Sequence, residues 1–200
     1  MQKISFSYSI EKSKQHQMKN IFLFSGLFLF FTFNLFSQEE INWMSMNDAL
    51  KAQKENPKKI LMDAYTDWCG PCKLMDRNTF GNANVAKFVN KNFYAVKFNA
   101  EGEEEINYDG QTFTNPNYDP SRAGRRNHQH DFAKALKITA YPTIVFFDEK
   151  GDVIAPIPGY HKPKEIELFL NMMLKDDYKN LNSAEEWEKY QKDFKPTFKD

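Results

Sequence analysis

The chain alternates between stretches with an apolar residue at every third or fourth position and short runs that are apolar throughout. Met46, Ala49, Leu50 and Gln53 share one helical face; Ser45 can cap that helix with Asp48 three residues on, and Asn56-Pro57 ends it. Ile60–Thr66 is almost wholly apolar, which predicts a central strand covered on both faces. From Pro71 to Asn78 the residues suit a helix, with Leu74 and Met75 expected in the core. Val85, Phe88 and Val89 recur at helical spacing, and Tyr94–Asn99 alternates as a strand. A short helix is expected over Asp131–Lys137. Ile144–Phe147 and Val153–Pro156, joined by a polar turn, read as a β-hairpin. Lys162–Leu174 predicts a closing helix with Ile166, Phe169, Leu170 and Met173 on one face. In Ser183–Phe194 the pair Ser183 and Glu186 forms a capping signature, and Trp187, Tyr190 and Phe194 make a stripe. That stripe is expected to pack back on the domain, with a partner-binding helix as the alternative.

The N-terminal part has a different character. Lys19 precedes a sixteen-residue apolar run, Ile21–Phe36, and Ser37 then gives way to Gln38-Glu39-Glu40. A basic start, a short apolar stretch and a small residue before polar sequence describe a secretory signal cut near Ser37–Gln38. The run is short for a bilayer span of about 20 residues, so an uncleaved anchor facing the periplasm is the alternative. Residues 1–17 have no evident role ahead of such a signal, and Met18 would itself make a normal start.

Composition matters mainly once this leader is set aside. It holds eight of the nineteen phenylalanines, and without residues 1–37 the chain has 23 basic against 26 acidic residues. That mild acidity gives no sign of binding nucleic acid or acidic membranes. Two hundred residues suit one domain with additions.

The only two cysteines are Cys69 and Cys72, in Asp67-Trp68-Cys69-Gly70-Pro71-Cys72-Lys73. A strand before and a helix after place Cys69 at a helix N-terminus, whose partial positive charge favours a thiolate. Two cysteines this close can also exchange a disulfide within one small loop. This is redox chemistry. His128 and His130 could in principle join the cysteines as zinc ligands, but no second cysteine pair exists, so neither a metal nor a cofactor is expected.

Trp68-Cys69-Gly70-Pro71-Cys72-Lys73 resembles the active site of the thioredoxin family. Asp63 matches that family's buried acid, Lys97 the lysine on the neighbouring strand, Tyr141-Pro142-Thr143 its cis-proline turn, and Gly159 its late glycine. The region is also similar to the thioredoxin-like domains of thiol:disulfide interchange proteins. The resemblance implies an α/β, thioredoxin-like fold, with a central mixed β-sheet and helices on both faces. It implies a domain over residues 38–175, interrupted by an insertion at about 100–131, and a helical extension over 176–200. Within the insertion Glu101, Glu103, Glu104 and Glu105 come early and Arg122, Arg125 and Arg126 late; either a functional rim or a tolerated surface loop would fit.

On this resemblance Cys69 attacks a substrate disulfide, Cys72 resolves the mixed disulfide, Asp63 takes a proton and Lys97 moderates Asp63. Trp68, Gly70, Pro71, Tyr141, Pro142 and Gly159 would contact substrate. The expected protein is an exported, monomeric thiol:disulfide oxidoreductase. Its partners would be disulfide-containing proteins and a membrane thiol:disulfide electron donor. Gly70-Pro71 resembles reducing members; an oxidase or isomerase, or a redox-inactive binding module, are the alternatives.

Overall fold

The computed structural model describes residues 39–200, so the expected signal and its cut near Ser37–Gln38 lie outside the described residues. In chain order the elements are β1 (Trp43–Met44), α1 (Met46–Glu55), β2 (Ile60–Tyr65) and α2 (Gly70–Met75), which runs into a π turn (Asp76–Phe80). Then come α3 (Ala83–Asn92), β3 (Tyr94–Asn99), β4 (Ile106–Tyr108), β5 (Gln111–Phe113) and α4 (Asp131–Ala135). The chain closes with β6 (Thr143–Phe147), β7 (Val153–Pro158), α5 (Pro163–Leu174) and α6 (Ala184–Asp193).

Five strands form one mixed sheet in the order β1-β3-β2-β6-β7, with β1, β3 and β2 parallel and β6 and β7 antiparallel to their neighbours. Strand periodicity divides the apolar residues of β2 between two cores. Ile60, Met62 and Ala64 pack with Met46 and Ala49 of α1 and Phe132 of α4, while Leu61 packs on the other face with Met75, Val85, Val89, Ile166 and Leu170. Helices therefore cover both faces, as the resemblance implies. Parallel pairing sets Asp63 beside Lys97 on the same face.

Most expected boundaries hold to within a residue or two. Ser45 caps α1 by accepting the Asp48 N–H at 3.1 Å, and Ser183 and Glu186 form the expected capping box on α6. Leu74 departs from expectation: it is 43% exposed, not core. Cys72 and Met75, three residues apart, already define the inward stripe of α2, which turns Leu74 outward. The π turn then adds a residue to the helical repeat, so that Thr79 and Phe80 are buried next.

The insertion has structure of its own. β4 and β5 form a hairpin closed by Asp109 and Gly110, both at positive φ, the turn whose twist suits a two-residue hairpin loop. Ile106 is fully buried against the α1 face, Asn47 accepts from the Asn107 N–H at 2.8 Å, and Tyr108 Oη donates to the Gly151 carbonyl at 2.9 Å. This hairpin lies at the end of the sheet remote from the cysteines. The chain then returns, held by Asn115 Nδ2 on the carbonyls of Gly102 and His128. His130 is fully buried and capping α4: Nδ1 accepts from the Phe132 N–H and Nε2 donates to the Glu104 carbonyl. Burial holds its pKa below the usual histidine value.

At the C-terminus, Trp187 stacks on Phe169 and Tyr190 donates to Asp177, so Trp187 and Tyr190 of the expected stripe pack back on the domain. Beyond it the chain folds onto Glu167, a buried carboxylate on α5. Thr197 donates from N and Oγ1, and Phe198 from N, at 2.5–2.7 Å, while the Phe198 ring meets Phe88 edge-on. Deleting residues 196–200 should cost roughly 3 kcal/mol, from one buried aromatic ring and charge-assisted hydrogen bonds. Urea unfolding measures it; an unchanged midpoint would show that the tail contributes nothing.

Candidate active site

The site forms where β2 runs out of sheet. After Tyr65 the chain turns, the Cys69 N–H donates to the Thr66 carbonyl at 3.1 Å, and α2 begins with Gly70 and Pro71. Proline suits this first turn because it has no N–H to leave orphaned. Cys69 is the N-cap: its sulfur accepts the Cys72 N–H at 3.1 Å. Cys69 and Cys72 are joined as a disulfide with Cα atoms 5.3 Å apart, and both are almost fully buried. At Gly70 a side chain would meet nothing within 4 Å, so the space outside the disulfide is open.

Behind α2, on the same face of the sheet, lies Asp63. It is 1% exposed; Oδ2 accepts from Lys97 Nζ at 2.6 Å, and Oδ1 is buried without a hydrogen-bond partner. Burial outweighs the attraction of Lys97 and raises its pKa to about 6. Lys97 also bridges to Asp76 at the start of the π turn, and its ammonium sits over the rings of Tyr65, Trp43 and Phe80. Burial by itself would lower the lysine's pKa, but the charges of Asp63 and Asp76 prevail and hold it above the usual value.

On the outer side, Trp68, Cys69, Gly70, Pro71, Glu101 and Arg126 line a cleft of about 430 Å³ whose far wall is Thr139–Tyr141. Glu101, 8% exposed, accepts from Trp68 Nε1 and from the Asn127 N–H, both at 2.7 Å. Arg126 lies over the indole, 4.4 Å from its ring centroid, and Tyr141 meets that indole edge-on. The Tyr141–Pro142 peptide is cis, and Gly159, at positive φ, donates its N–H to the Pro142 carbonyl at 2.8 Å. A larger cleft, about 660 Å³, lies between α1, the β4–β5 turn and residues 149–152. It is at the opposite end of the sheet and has no part in this chemistry.

The residues singled out in the sequence thus fall into three groups. Cys69, Cys72, Gly70, Pro71, Trp68 and Tyr141 meet at the cleft, Asp63 and Lys97 form a pair behind it, and Pro142 and Gly159 join β6 to β7 beside it. Asp76, Glu101 and Arg126 were not anticipated as site residues. Among the described residues no group of three or more histidine, cysteine or acidic side chains converges as a metal site. His130 is committed to its cap.

A cysteine pair at a helix start on a mixed sheet defines the class, a thioredoxin-like domain with the means for thiol–disulfide chemistry. Residues 46–174 match the thioredoxin-like domain family, and the chain belongs to it. It is 28% identical over 110 residues to a thioredoxin of Mycoplasma pneumoniae, covering 55% of this chain and 78% of that one. It is 24% identical over 132 residues to the thiol:disulfide interchange protein DsbD of Pectobacterium atrosepticum, covering 64% of this chain but only 18% of that longer protein. Among solved structures, the DsbH oxidoreductase superposes with a TM-score of 0.50 at 18% identity, over 71% of this chain and 90% of that one, and shares the fold.

The raised pKa of Asp63 makes stability depend on pH. Below about pH 4 the carboxyl is protonated in both folded and unfolded chains. As pH rises from its ordinary value of 3.8 to about 6, the unfolded chain releases that proton more readily, and the native state loses stability. The loss reaches about 3 kcal/mol above pH 6. Oxidised Asp63→Asn should therefore be more stable than wild type by about 2–3 kcal/mol at pH 7–8, with the difference vanishing near pH 4. Asp76→Asn should shift the midpoint of this dependence to lower pH, because Asp76 repels the Asp63 carboxylate. Denaturant titrations across pH check both; a constant offset for Asp63→Asn would overturn the assignment.

Proposed function

We propose that this chain is an exported thiol:disulfide oxidoreductase that reduces protein disulfides. The observation that carries the reading is the Cys69–Cys72 pair at the start of α2, with a buried carboxylate behind it and an open cleft before it. In the dithiol form Cys69 attacks one sulfur of a substrate disulfide. That S–S bond breaks, one substrate thiolate leaves, and a mixed disulfide links Cys69 to the other sulfur. Cys72 then gives up its proton, attacks Cys69 Sγ and expels the second substrate thiolate, leaving the Cys69–Cys72 disulfide. Two electrons pass from the pair to the substrate. Asp63 accepts the Cys72 proton; its unpartnered Oδ1 and its pKa near neutrality suit that role. Lys97 keeps the pKa of Asp63 from rising further. Tyr141, beside Cys69 in the cleft, offers its backbone to the substrate strand, with Trp68, Gly70, Pro71, Pro142 and Gly159 shaping the surface around it.

The charges near the sulfurs support a reducing direction. A strongly favoured thiolate stabilises the dithiol and makes the disulfide oxidising. Here Arg126 favours the thiolate, Glu101 opposes it from the same cleft, and ionised Asp63 opposes it from behind. The potential should sit near about −270 mV, the reducing end of the range, not about −120 mV. A glutathione titration measures it, and a value above about −180 mV would reassign the protein as an oxidant or isomerase. Cys69→Ser should abolish insulin reduction, while Cys72→Ser should trap the mixed disulfide; insulin reduction unaffected by Cys69→Ser would reject the catalytic reading.

Export rests on Lys19, the run Ile21–Phe36 and Ser37. Intact mass of the protein from the periplasmic or secreted fraction should show a chain beginning near Gln38, and a cytosolic product retaining Ile21–Phe36 would sink the idea. Outside the cytosol re-reduction needs a donor, and a membrane thiol:disulfide conductor supplies the matching chemistry. The similarity to a thiol:disulfide interchange protein supports this partner.

A further inference from the structure

Arg126 is charged, exposed and lines the cleft that holds Cys69, and beyond its pull on the thiolate the exchange chemistry gives it no task. Its position is held from several sides. Glu101 accepts from Trp68 Nε1 and from the N–H of Asn127, the residue after Arg126, so one carboxylate fixes both the indole and the loop. Arg122 pairs with Asp119 at 3.5 Å, and Arg125 Nη2 donates to the Ser121 carbonyl at 2.6 Å. Two of the three loop arginines are thereby committed to the loop itself.

Arg126 differs. Among the described residues it forms no ion pair. Its guanidinium lies on the face of the Trp68 ring, whereas Glu101 meets that ring in its plane, through Nε1. The two charges therefore approach the indole from perpendicular directions. Glu101 is nearly buried with Oε2 doubly hydrogen-bonded, while Arg126 stands open in the cleft lining. A guanidinium held over an aromatic face keeps its N–H donors, which radiate in its own plane, available to a carboxylate. A peptide whose sulfur reaches Cys69 must lay its flanking residues across this cleft.

We infer that Arg126 is a specificity-determining residue, selecting disulfide-bearing peptide segments with an aspartate or glutamate beside the reacting cysteine. The inference rests on the oxidoreductase reading above and adds the substrate class to it. The loop pinned by Glu101 is the holder, and the guanidinium over the indole is the reader.

The test uses pre-reduced protein freed of reductant, so that the Cys69/Cys72 dithiol is the sole source of the two electrons. It is mixed with three disulfide peptides that differ only in having Glu, Gln or Lys beside the cysteine. Second-order rate constants are divided by those for dithiothreitol, which removes the intrinsic reactivity of each peptide. Wild type should prefer Glu over Lys by roughly fivefold, the upper range for an exposed ion pair, and the preference should shrink at about 0.5 M salt. Arg126→Gln should bring the Glu/Lys ratio near one, Arg126→Glu should invert it, and Arg126→Lys should retain part of it. A purely structural arginine would alter all three rate constants together and leave the ratio alone. A wild-type ratio near one, or a ratio unchanged in Arg126→Gln, overturns the inference. Wild-type inactivity on all three peptides would instead overturn the oxidoreductase reading beneath it.

Discussion

A strand with neighbours on both edges and a core on both faces can be reached only at its ends, and β2 is in that position. Its chemistry therefore has to sit where the chain leaves the sheet, at the turn that carries Cys69 into α2. The same confinement explains how the strand tolerates Asp63. Ile60, Leu61 and Met62 are each fully buried, worth about 1.5–3 kcal/mol apiece, against about 3 kcal/mol for holding the carboxylate above pH 6. Parallel register with β3 then supplies Lys97 at the matching position. An uncompensated charge at this depth would cost about 3–5 kcal/mol, so the lysine is a condition of the carboxylate's presence.

Two sets of charges surround the disulfide, and their surroundings give them different work. In the inner set Asp63 is buried and the Lys97 ammonium is roofed by aromatic rings, which shields that pair from salt, while Asp76 reaches solvent. Such a set can tune protonation of the buried cysteine. The outer set, Glu101 and Arg126, meets at one indole in an open cleft, where solvent ions screen long-range effects and only a bound ligand feels the full local field.

The sequence carried these layers to different degrees, for physical reasons. The apolar run at Ile60, the caps at Ser45 and Ser183 and the cysteine spacing are local signals, and each corresponds to a local structure. Leu74 is misleading because apolarity alone carries no phase: the Cys72–Met75 stripe and the π turn decide which side of that helix is buried. The hairpin in the insertion had a readable sign, Asp109-Gly110 between short alternating runs, but three-residue strands are too short to display a period. Asp76 had no local sign, and the charge clusters that contain Glu101 and Arg126 marked a possible rim without marking these two residues. Each acts through a partner brought near by the fold: Lys97, Trp68 and again Trp68. A charged residue in a loop looks solvated until such a partner is known.

Topology also explains why the insertion can shape the rim without disturbing the catalytic elements. β2 and β3 are parallel, so the C-terminal end of β3 lies at the same edge of the sheet as Cys69. Chain added after Asn99 leaves beside Trp68, and it must come back to α4 before β6 can pair with β2. Here the added length divides into a hairpin that buries Ile106 against α1 and an arm that returns past the indole. The hairpin anchors the segment by apolar burial, which is indifferent to what the arm displays. The arm meets the catalytic region through side chains, Trp68 above all, and not through the sheet ladder or the helix hydrogen bonds. Substitutions in the arm can thus alter the cleft lining, while register, burial and the ion pair behind the cysteines stay as they are.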